Sequence, residues 1–321
     1  MTTHTSWTRW RLSWGLAAMF VATTAMAGKD GSRQPPTPQR SLPPEEFDRQ
    51  TEEVFQGTAQ DRTPGPRPSL QPRAESQQPA TTADAEKLNS AFDWSRLISA
   101  DTLADEIKSH RTELTQDVRN VRTFRAGANR DARMRLSVIA VMFGLTAEYD
   151  GPVRWQKQAA GARDAFASSG RNSKAADDNT FKEARRRSED LDELIRGGSV
   201  EFPKSGDTPR WDEIAERPPL MQRLEISLDK RLRPWTANAR EFQRHQREAV
   251  HEAEVVAALA EIIQHEEYEF YDDDEYLAFC KRLRDHAIAA RTAARENNFD
   301  SLQQAVGEIS KSCSACHEDY R

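Results

Sequence analysis

Ser310-Lys-Ser-Cys313-Ser-Ala-Cys316-His317-Glu-Asp-Tyr320-Arg321 is the stretch on which the reading of this chain turns. Within it, Cys-x-x-Cys-His is the pattern to which haem is covalently attached: two thiols add to two vinyl groups, and the adjacent imidazole ligates the iron. Residues three apart share a helix face, so Cys313 and Cys316 can grip one porphyrin edge while His317 turns toward the iron. A zinc site would need a fourth ligand beyond these three, and a thiol-disulfide motif would expect a βαβ context that the sequence does not offer. The motif assigns one covalently bound haem c.

Upstream of the motif, Phe299, Leu302, Val306, Ile309, Cys313, Cys316 and Tyr320 follow steps of three and four, an apolar seam along one helix face. Both cysteines fall on that seam, so the haem is expected among packed helices. Three further helices precede it. Pro218-Pro219 opens the first, with Leu220, Leu224, Ile226, Leu228 and Leu232 before Pro234. The second runs from about Asn238 to Tyr268. The third follows the acidic turn Asp272-Asp-Asp-Glu275 and presents Tyr276, Cys280, Leu283, Ala287 and Ala290. Short connections favour an antiparallel up-down-up-down bundle, an all-α fold.

A four-helix unit closing on Ser-Cys-Ser-Ala-Cys-His-Glu-Asp-Tyr-Arg resembles the class II cytochromes c, the cytochrome c′ family. The resemblance covers residues 208–321. It implies that His317 is the proximal ligand and that the first helix covers the other face of the iron. Met221 on that helix reads either as a distal ligand, as in related low-spin proteins, or as core filling, and both readings stay open. Without Met ligation, Leu220 or Leu224 would cover an empty sixth position, the high-spin arrangement of the family. The family also pairs an Arg with a haem propionate, which makes Arg217 and Arg223 candidates. His245, His251, His265 and His286 sit amid charged residues and read as solvated; Cys280 reads as a buried thiol.

The unit has an echo. Trp94-Ser-Arg-Leu97 aligns on Trp211-Asp-Glu-Ile214 at an offset of 117, and Val138-Ile-Ala-Val141 on Val256-Ala-Ala-Leu259 at 118. Asp178-Asn-Thr-Phe181 then falls on Glu296-Asn-Asn-Phe299. The reading is two tandem bundles: residues 89–207, then residues 208–321. In the first copy Ile195, Gly198 and Ser199 stand where Cys313, Cys316 and His317 stand, and Ala104 stands for Met221, so it is expected to be haemless. Its helices are expected at about Asp101–Val118, Arg130–Tyr149, Pro152–Ser169 and Asp177–Arg196, ended by Gly197-Gly198. Its expected role is to pack against the haem domain, with partner binding as the alternative.

The N-terminus speaks to compartment. Arg9 and Arg11 precede an apolar stretch ending at Ala25-Met26-Ala27, so residues 1–27 read as a signal peptide, too short and interrupted for a membrane span. Residues 28–88 hold ten of the 16 prolines and read as a disordered linker, with a short helix possible around Glu45 to Phe55. An exported, soluble, periplasmic protein is expected, without a stable membrane span after signal removal. The chain has 46 basic and 52 acidic residues, and losing two Arg with the signal makes the mature form more acidic still. That balance argues against nucleic acid and is compatible with a basic redox partner protein. Three cysteines, two of them in the motif, leave no disulfide framework. No nucleophile–base pair and no phosphate loop is present, so the reading is a carrier or a binder of a diatomic gas such as NO or CO, not an enzyme. The resemblance also implies a homodimer as one arrangement, since members of the family often dimerise through their helices.

Overall fold

The computed structural model describes residues 92–205 and 209–320, which lie in one compact unit. The expected signal peptide, the Pro-rich segment and the final Arg321 lie outside the described residues. Among the described residues every regular element is helical.

The main helices are α1 (Ala100–Ser109), α2 (Arg111–Asp117), α3 (Asn129–Glu148), α4 (Ala159–Asn172) and α5 (Asp178–Arg196), then α6 (Arg217–Glu225), α7 (Gln246–Ile262), α8 (Asp274–Arg295) and α9 (Phe299–Asp319). Short helical turns at Trp94–Arg96 and Trp211–Ile214 open the two series. The starts obey local chemistry. Asp273 accepts from the amides of Glu275 and Tyr276, and Asn298 from that of Ser301, which satisfies first-turn donors of α8 and α9. Asp177 and Thr180 form a capping box on α5. At its other end, α5 stops in a Schellman arrangement: Gly197 takes φ 90°, its amide reaches the Leu194 carbonyl, and the Gly198 amide reaches that of Glu193. Only glycine adopts that φ without strain.

Three expected boundaries move. The helix expected from Pro152 starts instead at Ala159, because Trp155 adopts a left-handed backbone (φ 63°) that no helix can pass through. The long helix expected from Asn238 to Tyr268 breaks at His245 (φ −120°, ψ 21°) into Ala239–Arg244 and α7, and it ends in turns after Ile262. The helix expected at Asp101–Val118 is divided at His110 into α1 and α2. Between α6 and Arg233–Trp235 the backbone widens into π-helical turns over Ile226–Leu232, a rare geometry that recurs at functional sites.

The core runs through both series. Helices α3 and α7 are buried on nearly all sides: Leu136 to Thr146 and Glu252 to Ile262 are unbroken buried runs. The cause is double packing. Helix α3 is covered by α4 and α1 and also by α6; α7 is covered by α8 and by α1. Gly144 on α3 makes room for Trp211, since a Cβ there would lie 3.1 Å from the indole.

Candidate haem site

Helix α9 presents the motif as its periodicity requires. Leu302, Val306 and Ile309 are buried, Cys313 and Cys316 are half-buried against the core, and His317 is exposed. Tyr320 holds the helix end in an aromatic nest, its ring 5.2 Å from that of Phe270, 5.4 Å from Tyr276 and 6.2 Å from Phe279.

A cleft of about 450 Å³, within the range of cofactor sites, opens between this helix end and α6 with its π-helical continuation. Cys313 and His317 line one wall; Met221, Leu224 and Leu228 line the other. Asp229 and Arg233 stand at its edge, paired at 2.5 Å, and Arg233 also donates to Ser310. Cys316 does not line the cleft; it lies one turn beyond Cys313 on α9, half-buried against the core. The Cys313 thiol, the His317 imidazole and the Met221 thioether on an apolar wall, with Cys316 beside them, are of the donor types that a c-type haem takes: thiols for the vinyl carbons, nitrogen and sulfur for iron.

Burial pushes the Cys313 thiol up to about 11 and raises Cys316 against the pull of Arg217. Both are therefore protonated at neutral pH, poor nucleophiles in the closed bundle. Cys280 is buried, as read from the sequence, and burial pushes it up to about 12.

The two Arg candidates part company. Arg217 stays near the motif: it pairs with Glu269 at 2.8 Å and lies 5.0 Å above the Phe270 ring. Arg223 does not line the cleft. It is 1% exposed, and all five of its N–H donors are taken by protein acceptors. Nε and Nη2 meet Glu106 at 2.6 and 2.9 Å, Nη1 and Nη2 meet Glu252 at 2.8 and 3.2 Å, and Nη1 also donates to Ser227 at 2.5 Å. A guanidinium so engaged is unavailable to a propionate.

The histidines also differ from expectation. His251 is half-buried and bonds Glu106 at 2.8 Å; His245 stacks on Trp235 at 4.9 Å. Buried His110 bonds the other Glu106 oxygen at 3.0 Å. Sequence reading missed this polar cluster, although Glu106 and Glu252 on apolar stripes were a signal that partners had to exist. Burial would raise Glu106, but Arg223, His110 and His251 outweigh it and hold its carboxyl well below the usual range. Glu106, His251 and Glu252 converge as cation ligands would, but the Arg223 guanidinium already occupies both carboxylates.

Among the described residues, the positions that align with the motif, Ile195, Gly198 and Ser199, line no comparable cleft; the pocket between α2 and α5 is smaller, about 250 Å³, and is lined by Thr115, Val118, Ser188 and Asp192. Helix α5 ends at Arg196, and its last carbonyls are covered: Trp155 Nε1 donates to Leu194 and Arg154 to Ile195, each at 3.0 Å. Arg111 bridges to Asp192 across the space between α2 and α5. Ala104, at the Met221 position, is buried.

A Cys-x-x-Cys-His motif on the last helix of an all-helical fold, beside a cleft with thiol, thioether and imidazole donors, is similar to the arrangement of proteins that hold c-type haem. Residues 264–321, which contain α8 and α9, match the family model for cytochrome C′. This region is similar to that family, which implies a c-type haem. No curated protein and no solved structure matches the chain. Among the described residues, no helix is long and apolar enough to cross a membrane.

Proposed function

We propose that this protein is an exported c-type cytochrome carrying one haem, attached through Cys313 and Cys316 with His317 as proximal ligand, and that it transfers single electrons. The observation that carries the reading is that Met221 and His317 line one cleft, on different helices. Bound haem would supply an iron that changes oxidation state by one electron, and a thioether in the sixth position would raise its potential. The chain's own residues supply the rest. Leu224 and Leu228 keep the Met221 face apolar, Tyr320 fixes the end of α9 so that Cys313 and His317 keep their spacing, and the acidic surface favours a basic redox partner.

One observation favours a second reading, gas binding. Met221 is flanked in the cleft by Leu224 and Leu228, either of which could cover an iron that Met221 does not reach; Leu220, by contrast, is fully buried and does not line the cleft.

Absorption spectra of the haem-loaded protein in both oxidation states separate the two. Sharp low-spin bands in the reduced form, unchanged by CO, are expected for the electron carrier. Broad high-spin bands that shift on adding CO would establish the gas-binding reading instead. A mature protein without covalent haem would overturn both.

A further inference from the structure

The residues that align at an offset of 117 touch one another. Trp94 and Trp211 meet edge to face with ring centroids 5.7 Å apart, and Glu106 meets Arg223 at 2.6 Å. In a two-fold dimer, a residue on the axis meets its own counterpart, and every contact off the axis occurs twice with the roles exchanged. Off the axis the exchange holds between helices, with different side chains making each contact: Ser99, the N-cap of α1, donates to Glu254 on α7, and its counterpart Glu216, the N-cap of α6, accepts from Arg133 on α3. Helix α1 packs on α7, and α6 packs on α3.

We propose that residues 94–196 are the permanent built-in partner of the haem-binding half, standing where a second copy would stand in a symmetric dimer, and that the Glu106–Arg223 pair makes this pairing exclusive. Charge at the axis is selective. Buried Arg223 is forked between buried Glu106 and Glu252, part-exposed Arg231 reaches Glu252 from the edge, and His110 and His251 bond Glu106. Two haem halves joined by the same face would bring together two copies each of Arg223, Arg231, His251 and Glu252, four guanidinium cations against two carboxylates. Two copies of the first half would set Glu106 against Glu106 with no arginine between them, only the His110 imidazoles. Under-compensated buried charge disfavours both, and only the mixed pairing gives buried Arg223 a carboxylate on each side. The haem half therefore cannot dimerise through α6 and α7. Its exposed surface, including the cleft mouth at His317, is left for other partners.

Two measurements on the full mature chain test this, and neither needs the haem, so their failure is distinct from failure of the haem assignment. Light scattering during gel filtration is expected to give the mass of one chain across the micromolar range; a stable dimer joined through α6 and α7, mapped by cross-linking, would overturn the proposal. Hydrogen exchange of Glu106→Gln, an isosteric change in the first half, is expected to lower protection of α6 and α7 at least about tenfold together with α1, since half of a buried charge pair is lost. Loss of protection confined to α1 and α2 would show that the halves are merely tethered and would sink the idea. A Glu106→Arg chain, with like charges at the axis, is expected to lose soluble folded protein. If it instead folds to wild-type protection in α6 and α7, charge does not decide the pairing.

Discussion

Glu106 and Arg223, 117 residues apart in the chain, form a two-pronged ion pair in which neither side chain is more than 1% exposed. Breaking a buried pair costs more than forming it gains, because the remaining charge stays desolvated. Glu106→Gln is therefore expected to destabilise the protein by about 3–5 kcal/mol, read as a fall in the urea midpoint at unchanged slope.

The same cluster sets an acid limit. Glu106 and Glu252 are both buried, which taken alone would raise them, but Arg223 and its neighbours hold both below the ordinary glutamate value. A carboxyl depressed on folding stabilises the native state above the unfolded pKa and loses that contribution as pH falls through the folded one. Stability is thus expected to hold down to about pH 4.3, the ordinary glutamate pKa, and to fall steeply below it. Glu106→Gln should flatten that fall. Urea titrations of both proteins between neutral and acid pH provide the check.

Met221 and His317 line the same cleft, one on α6 and the other on α9. In the haem-loaded protein, Met221→Ala is expected to open the sixth position, so that the reduced form binds CO. It should also lower the midpoint potential by an amount on the order of 0.1 V, a fraction of the roughly 0.8 V that axial ligands command. An unchanged spectrum and potential would make Met221 a packing residue. Redox titration and CO difference spectra read both effects.

Grafting the motif into the first half should fail. With Ile195→Cys, Gly198→Cys and Ser199→His combined, intact mass is expected to show still one haem. Helix α5 stops at Arg196, so the three new side chains would not share a helix face, and Trp155 and Arg154 already cover the helix end. A second covalent haem would show that side-chain identity alone, not helix length, excludes it.

Much of the site was legible because its determinants are local. Three- and four-residue steps placed Leu302, Val306 and Ile309 in the core and the two cysteines at its edge, since a helix face depends only on spacing. The stop at Gly197 was likewise local, because a residue without a Cβ takes the left-handed φ that ends a helix. The left-handed turn at Trp155 and the break at His245 were not legible, because neither residue type carries a conformational signature and tertiary packing overrides propensity there.

The sequence by itself determined the Cys-x-x-Cys-His pattern, the helix face on which it falls and the helical class. Tertiary structure decided which side chains answer one another. It brought Met221 into the cleft that His317 lines, and it took Arg223 and His251 away from the roles suggested for them, into a buried cluster with Glu106 and Glu252. The physical reason is that a buried charge must be neutralised by whatever the fold brings within hydrogen-bond reach: Glu106 on its apolar stripe signals that a partner exists, but only the fold shows that the partner is Arg223, 117 residues away.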